Sequence, residues 1–165
     1  MHILDEATVA RSWNDTSRLS SPQTRESMHA LAREQPALLG FVLAATEGLS
    51  KSAHSLANVL YFQIARLFDS AAPGPVPRVS EERLATLFEW NLEDLSEDSP
   101  DDAAPDEPWS GTGQPHLLRR VLESLFEAPE LDESGELDEE EIGHLFVVLK
   151  TVVDALDEVT PAVPA

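Results

Sequence analysis

The sequence predicts an all-α protein: an irregular or orthogonal bundle of five to six helices with an acidic linker. Three observations carry that prediction. Apolar residues recur at helical spacing in successive segments. Those segments begin and end with recognisable capping chemistry. No stretch alternates apolar and polar residues over five or more positions with β-branched enrichment, so strands are not expected. The chain has 165 residues, 42% of them apolar, and no cysteine. That is enough to bury one core without disulfides or a structural metal, so residues 1–165 are expected to form a single helical domain.

Residues 1–20 form a lead segment in which Ile3, Leu4, Val9 and Trp13 fit one short amphipathic turn starting at Asp5. Ser21-Pro22 offers a serine N-cap with proline at the first helical position, and Met28, Leu31 and Ala32 continue a stripe to Glu34. Gln35-Pro36 starts a new helix. Its Leu38, Leu39, Phe41, Val42 and Leu43 cover nearly all sides, which predicts a place deep in the core. Gly40 would let another backbone approach, and Gly48 ends the segment.

Ser50 caps a helix over about 51–70, whose Ala53, Leu56, Ala57, Leu60, Ile64, Leu67 and Phe68 follow helical spacing, with Val59 and Phe62 widening the face. Pro73-Gly74-Pro75-Val76-Pro77 breaks the chain. Ser80 caps a helix over about 81–95 with Leu84, Leu87, Phe88 and Leu92 inward. Pro115 opens a helix to about 128 with a stripe of Leu117, Leu118, Val121, Leu122, Leu125 and Phe126, and Arg119 and Glu123 are spaced to pair outside it. Asp138-x-x-Glu141 reads as a capping box for a last helix over about 139–157, and residues 158–165, with two prolines, read as a loose tail.

Net charge is −20, and its placement is uneven. Residues 93–109 hold eight acids and no base, and residues 127–141 hold nine acids and no base, which leaves the rest near neutral. The stretch 93–114 reads as an acidic, proline-containing linker that ends in the joint Gly111-Thr112-Gly113. A duplex-binding protein needs the opposite charge, and an anionic membrane surface would repel this one. The partner that electrostatics favours is a protein with a basic surface. The candidate contacts are Trp109 and the acids around it, Asp101, Asp102, Asp106 and Glu107. A lone tryptophan ending an acidic linker seats either on its own core or in a partner.

Residues 130–141 place oxygen side chains at positions 1, 3, 5, 9 and 12, a glycine at 6 and an apolar residue at 8, between two amphipathic helices. This stretch resembles an EF-hand loop, and the resemblance implies calcium held by Glu130, Asp132, Ser134, Glu136, Asp138 and Glu141. It departs from the family in its first ligand, which is Glu rather than Asp, in Pro129 just before it, and in the lack of a second loop. The alternative is an acidic turn followed by a capped helix. Glu-x-x-His also occurs twice, at Glu26/His29 and Glu141/His144. In di-metal carboxylate bundles that spacing puts both ligands on one helical face, with lone glutamates such as Glu82, Glu89 or Glu123 completing the set. First-turn acids are equally what a helix dipole favours.

No nucleophile elbow, zinc-protease motif or glycine-rich phosphate loop is present. The first functional expectation is therefore a small acidic helical adaptor, regulator or inhibitor. It needs no cofactor and binds no nucleic acid or membrane. The alternatives are the calcium module, a nucleic-acid mimic and a di-metal protein. The start has no basic segment followed by an apolar run, which points to the cytoplasm, and the apolar helices leave a homo-oligomer open.

Overall fold

The computed structural model describes residues 1–96, 113–127 and 137–162. Among them the chain forms seven helices: α1 (Glu6–Ser17), α2 (Ser21–Glu34), α3 (Pro36–Ala45), α4 (Lys51–Ala71), α5 (Glu81–Ser96), α6 (Pro115–Glu127) and α7 (Glu139–Val159). The all-α class is as the sequence predicts. The seventh helix is α1, where a single turn was expected. The Asp5 carboxylate accepts from the Thr8 N–H at 2.7 Å, and hydrogen bonds from Thr8 hold this carboxyl below its ordinary range. Three turns follow because Val9, Trp13 and Thr16 fall on one face and are buried there.

The two longest helices form the centre. α4 and α7 each bury ten residues and pack against one another. α5 and α6 lie on α7, α1 bridges α4 and α6, and α3 touches α4, α5 and α7. Leu38, Val42, Leu67, Phe68, Leu117, Leu118, Leu145, Leu149, Val152 and Val153 are fully enclosed where these helices meet. Truncating any of the leucines would cost about 2–5 kcal/mol, since the cavity adds to the lost transfer energy.

Several boundaries and faces differ from the sequence reading. The N-cap of α2 is Ser20, one residue earlier than expected: Ser20 Oγ accepts from Gln23 N–H while Gln23 Oε1 accepts from Ser20 N–H. Only Ser20 lies three positions before a residue able to return the bond. α3 is not deep on all sides. Leu38 and Val42 are buried, Leu39 and Phe41 are half-buried, and Leu43 is 41% exposed. An all-round apolar helix is covered only where neighbours reach it, and here they reach one side. Gly40 has no atom within 4 Å of where a Cβ would stand, so it serves no close approach. Val59, Leu92 and Phe126, read as inward, are exposed.

α5 continues through Ser96, and Gln114 is completely buried. Gln114 Oε1 accepts from Leu4 N–H at 2.9 Å, while its Nε2 donates to His2 O at 3.0 Å and to Asp157 Oδ1 at 2.8 Å. One amide thereby fixes the extended N-terminal segment onto the end of α7. A Cβ at Gly113 beside it would meet the Asp157 carboxylate, which would have to turn aside. Gln35 does the same work between α2 and α3. It accepts from Val79 N–H at 3.0 Å and donates to Pro77 O at 2.8 Å, which secures the proline-rich crossing from α4 to α5. At the C-terminus α7 runs two residues past expectation, to Val159, and Thr160 is buried.

Tyr61 is enclosed in α4, and its hydroxyl has no hydrogen-bond partner among the described residues. Burial pushes the phenol up to about 12 from 10.0. A raised pKa means the folded state resists ionisation. The contribution is fully present below pH 10 and is lost as pH rises towards 12, about 2–3 kcal/mol in all. Tyr61→Phe is therefore expected to be neutral or stabilising by about 1 kcal/mol at pH 7, since it removes an unsatisfied hydroxyl. It should also flatten the alkaline loss relative to the unsubstituted chain. Urea denaturation of both proteins at pH 7 and at about pH 11 checks both statements.

Candidate functional site

Of the residues picked from sequence, Trp109, Asp101, Asp102, Asp106 and Glu107 lie outside the described residues, as do Glu130, Asp132, Ser134 and Glu136. Asp138 and Glu141 are described. Asp138 is the N-cap of α7 and accepts from Glu141 N–H at 2.7 Å. The return bond of a capping box is not made, because the Glu141 carboxylate reaches away to Ser50 N–H at 3.0 Å. Ser50 in turn caps α4 through its hydroxyl, at 3.2 Å from Ala53 N. Glu141 thus ties the start of α7 to the start of α4.

The partner of Glu141 in the Glu-x-x-His pattern serves the same corner. His144 Nε2 lies 2.6 Å from Ala45 O, and a carbonyl can only accept, so Nε2 carries the proton. Its ring stands edge-on to Phe88, which stands edge-on to Phe41. Across the corner, the Thr46 hydroxyl donates to Val42 O at 2.7 Å. That commits its one proton, so the 2.9 Å contact with His54 Nδ1 is donated by the histidine. Both imidazoles therefore serve the carbonyl end of α3, whose last C=O groups have no partner within the helix.

The other Glu-x-x-His pair is exposed on α2, and Glu123 is engaged by Arg119 at 3.4 Å and Arg120 at 3.7 Å. Among the described residues no group of three or more His, Asp or Glu side chains is placed to hold a metal ion.

A polar cluster that sequence reasoning missed sits between α5 and α7. Lys150 Nζ donates to Asn91 Oδ1 at 2.7 Å and to Asp154 Oδ2 at 2.8 Å. Asn91 Nδ2 donates to Thr151 Oγ1 and to Asp154 Oδ2, each at 3.1 Å. Lys150 and Asp154 form an i,i+4 pair, readable in principle, but Asn91 comes from another helix and only packing brings it in.

Two apolar depressions lie on the surface of the described residues. One, of about 430 Å³, lies between α3 and α5 over Gly40 and Ala85, with Phe41 and Phe88 as walls and Glu81 at the rim. The other, of about 760 Å³, runs along α2. Its floor is apolar and its edge carries Arg25, His29 and Arg33. Their i, i+4, i+8 spacing was the available signal for a single basic row, and it was masked by the acidity of the chain as a whole.

No family model matches the chain, and neither a curated protein nor a solved structure matches it. The class that the fold defines is an all-α bundle, with seven helices among the described residues, in which His54, His144, Gln35 and Gln114 serve helix ends and joints.

Asn91→Ala should remove the acceptor of a nearly buried ammonium and leave Thr151 without its donor. The expected loss is about 2–3 kcal/mol in urea denaturation, and Lys150→Met added to it should recover part of that loss.

Proposed function

We propose that this chain is a protein-interaction module in which an acidic C-terminal half engages a basic surface of a protein partner. The observation that supports this reading is the polarity of charge along the chain. Residues 1–83 hold nine acids and eight bases, whereas residues 84–165 hold twenty-two acids and three bases. The three bases are already occupied: Arg119 and Arg120 by Glu123, and Lys150 by Asp154. Even Arg83, just before the boundary, is held by Glu158 through two hydrogen bonds of 2.8 and 2.6 Å. The half therefore meets a partner with almost no free positive charge. Charge of one sign raises the encounter rate and rejects wrong partners more than it adds affinity.

Trp109 and the acids Asp101, Asp102, Asp106 and Glu107 are the proposed contacts. The expected result is that immobilised full-length chain captures basic proteins from its native lysate and releases them as salt rises. The variant Asp101→Asn, Asp102→Asn, Asp106→Asn, Glu107→Gln should lose most of that capture. Unchanged recovery would remove these acids from the interaction. Trp109→Ala separates the two roles of the ring: lower capture at an unchanged melting temperature places it against the partner, and a lower melting temperature places it on the chain's own core.

The second reading is calcium held by residues 130–141. It is favoured by Asp138 and Glu141, which stand at the ninth and twelfth positions of that stretch at the start of α7, and by α6, which ends at Glu127 just before it. Calcium added at about millimolar concentration and physiological salt should then give saturable heat and a raised melting temperature, as a ligand of the native state must. Neither effect would leave 130–141 as an acidic turn.

A further inference from the structure

We infer that the groove along α2 is a second docking surface, opposite in charge to the first, and that its occupant is an acidic amphipathic helix of a partner protein. α2 is the outermost helix of the bundle. It packs chiefly on α3, and of its fourteen residues only Leu31 is buried. Beside it Leu19, Met28 and Leu39 floor a groove of about 760 Å³. Arg25, His29 and Arg33 stand along one edge, and the acids of α2, Glu26 and Glu34, are not part of its lining. None of the three basic side chains has a hydrogen bond or ion pair among the described residues, in contrast to Arg66, Arg78, Arg83, Arg119, Arg120 and Lys150. This basic row is unpaired among the described residues.

The shape and spacing select the occupant. Arg25 and Arg33 are eight residues apart, about 12 Å along the helix, with His29 midway. A second helix laid beside α2 repeats at the same interval, so acids at i, i+4 and i+8 come opposite the three bases in turn. Its apolar stripe then enters the groove, where the flexible Met28 side chain adapts to it. A small ligand would want an enclosed cavity that covers most of its surface, and this groove is open along its length. Guanidinium groups suit carboxylates because they bind them through two parallel hydrogen bonds. The −20 charge of the chain does not cancel this attraction at physiological salt, where charges beyond about 8 Å are screened. With a basic partner on the acidic half and an acidic helix on α2, the chain would bridge two proteins.

The test uses the full-length chain and a fluorescein-labelled helical peptide of about eighteen residues, with leucines forming one stripe and glutamates at i, i+4 and i+8 beside it. A second peptide has the same composition with the glutamates permuted off that row. Fluorescence anisotropy at physiological salt should show saturable binding of the first peptide. Binding should be at least about tenfold weaker for the permuted peptide and for Arg25→Glu/Arg33→Glu. Both arginines are exposed, so the melting temperature of that variant should not change. The variant neutralised at Asp101, Asp102, Asp106 and Glu107 should bind the peptide as the unsubstituted chain does, which keeps this result separate from the acidic-half proposal. No binding at about millimolar chain, or equal binding by both peptides or by the arginine variant, would overturn the inference. So would full displacement by decanoate, which would give the groove to a small carboxylate amphiphile. Sedimentation showing a dimer that dissociates in Arg25→Glu/Arg33→Glu would give it to a second copy instead.

Discussion

The structure depends on the burial of α7. Leu145, Phe146, Val147, Val148, Leu149, Val152, Val153 and Leu156 place apolar groups around most of its circumference, and such a helix has no stable place in water. It needs neighbours on several sides, and α4, α5, α6 and α3 supply them. Helices that do not touch α7 are correspondingly peripheral. α2 is the extreme case, and its exposure leaves a free groove on this bundle.

A bundle of helices with unequal lengths and connections creates a second need. Extended segments and helix ends bring backbone groups into the interior, where an unpaired N–H or C=O is costly. Long polar side chains meet that need. Gln35 secures the crossing between α4 and α5, Gln114 secures the N-terminal segment, and His54 and His144 serve the end of α3. These four side chains hold joints, and the charge available to another molecule lies on the surface. This is why the functional reading rests on surface charge and surface grooves.

Surface charge is itself divided. The near-neutral first half holds two of its eight cations, Arg25 and Arg33, beside an apolar groove, and the second half confines its few cations to ion pairs. The exposed pairs of Arg119 and Arg120 with Glu123 add little stability, so their weight lies in what they remove from the surface. The proposed basic partner of one half and acidic helix of the other follow from that division, and each can fail without the other.

The helical class and most capping residues were legible in the amino-acid order, because helical periodicity and N-cap chemistry act over four residues or fewer. Asp138 and Ser50 cap as their side chains dictate wherever the rest of the chain lies. Which apolar positions are covered was not legible: Leu43, Val59, Leu92 and Phe126 match the buried pattern yet face outward, since coverage depends on where other helices end. Nor could local order reveal that Gln114 spans from His2 to Asp157, or that Asn91 completes the Lys150 cluster. Those are contacts between distant segments, and only the packed tertiary arrangement brings their atoms within hydrogen-bonding distance.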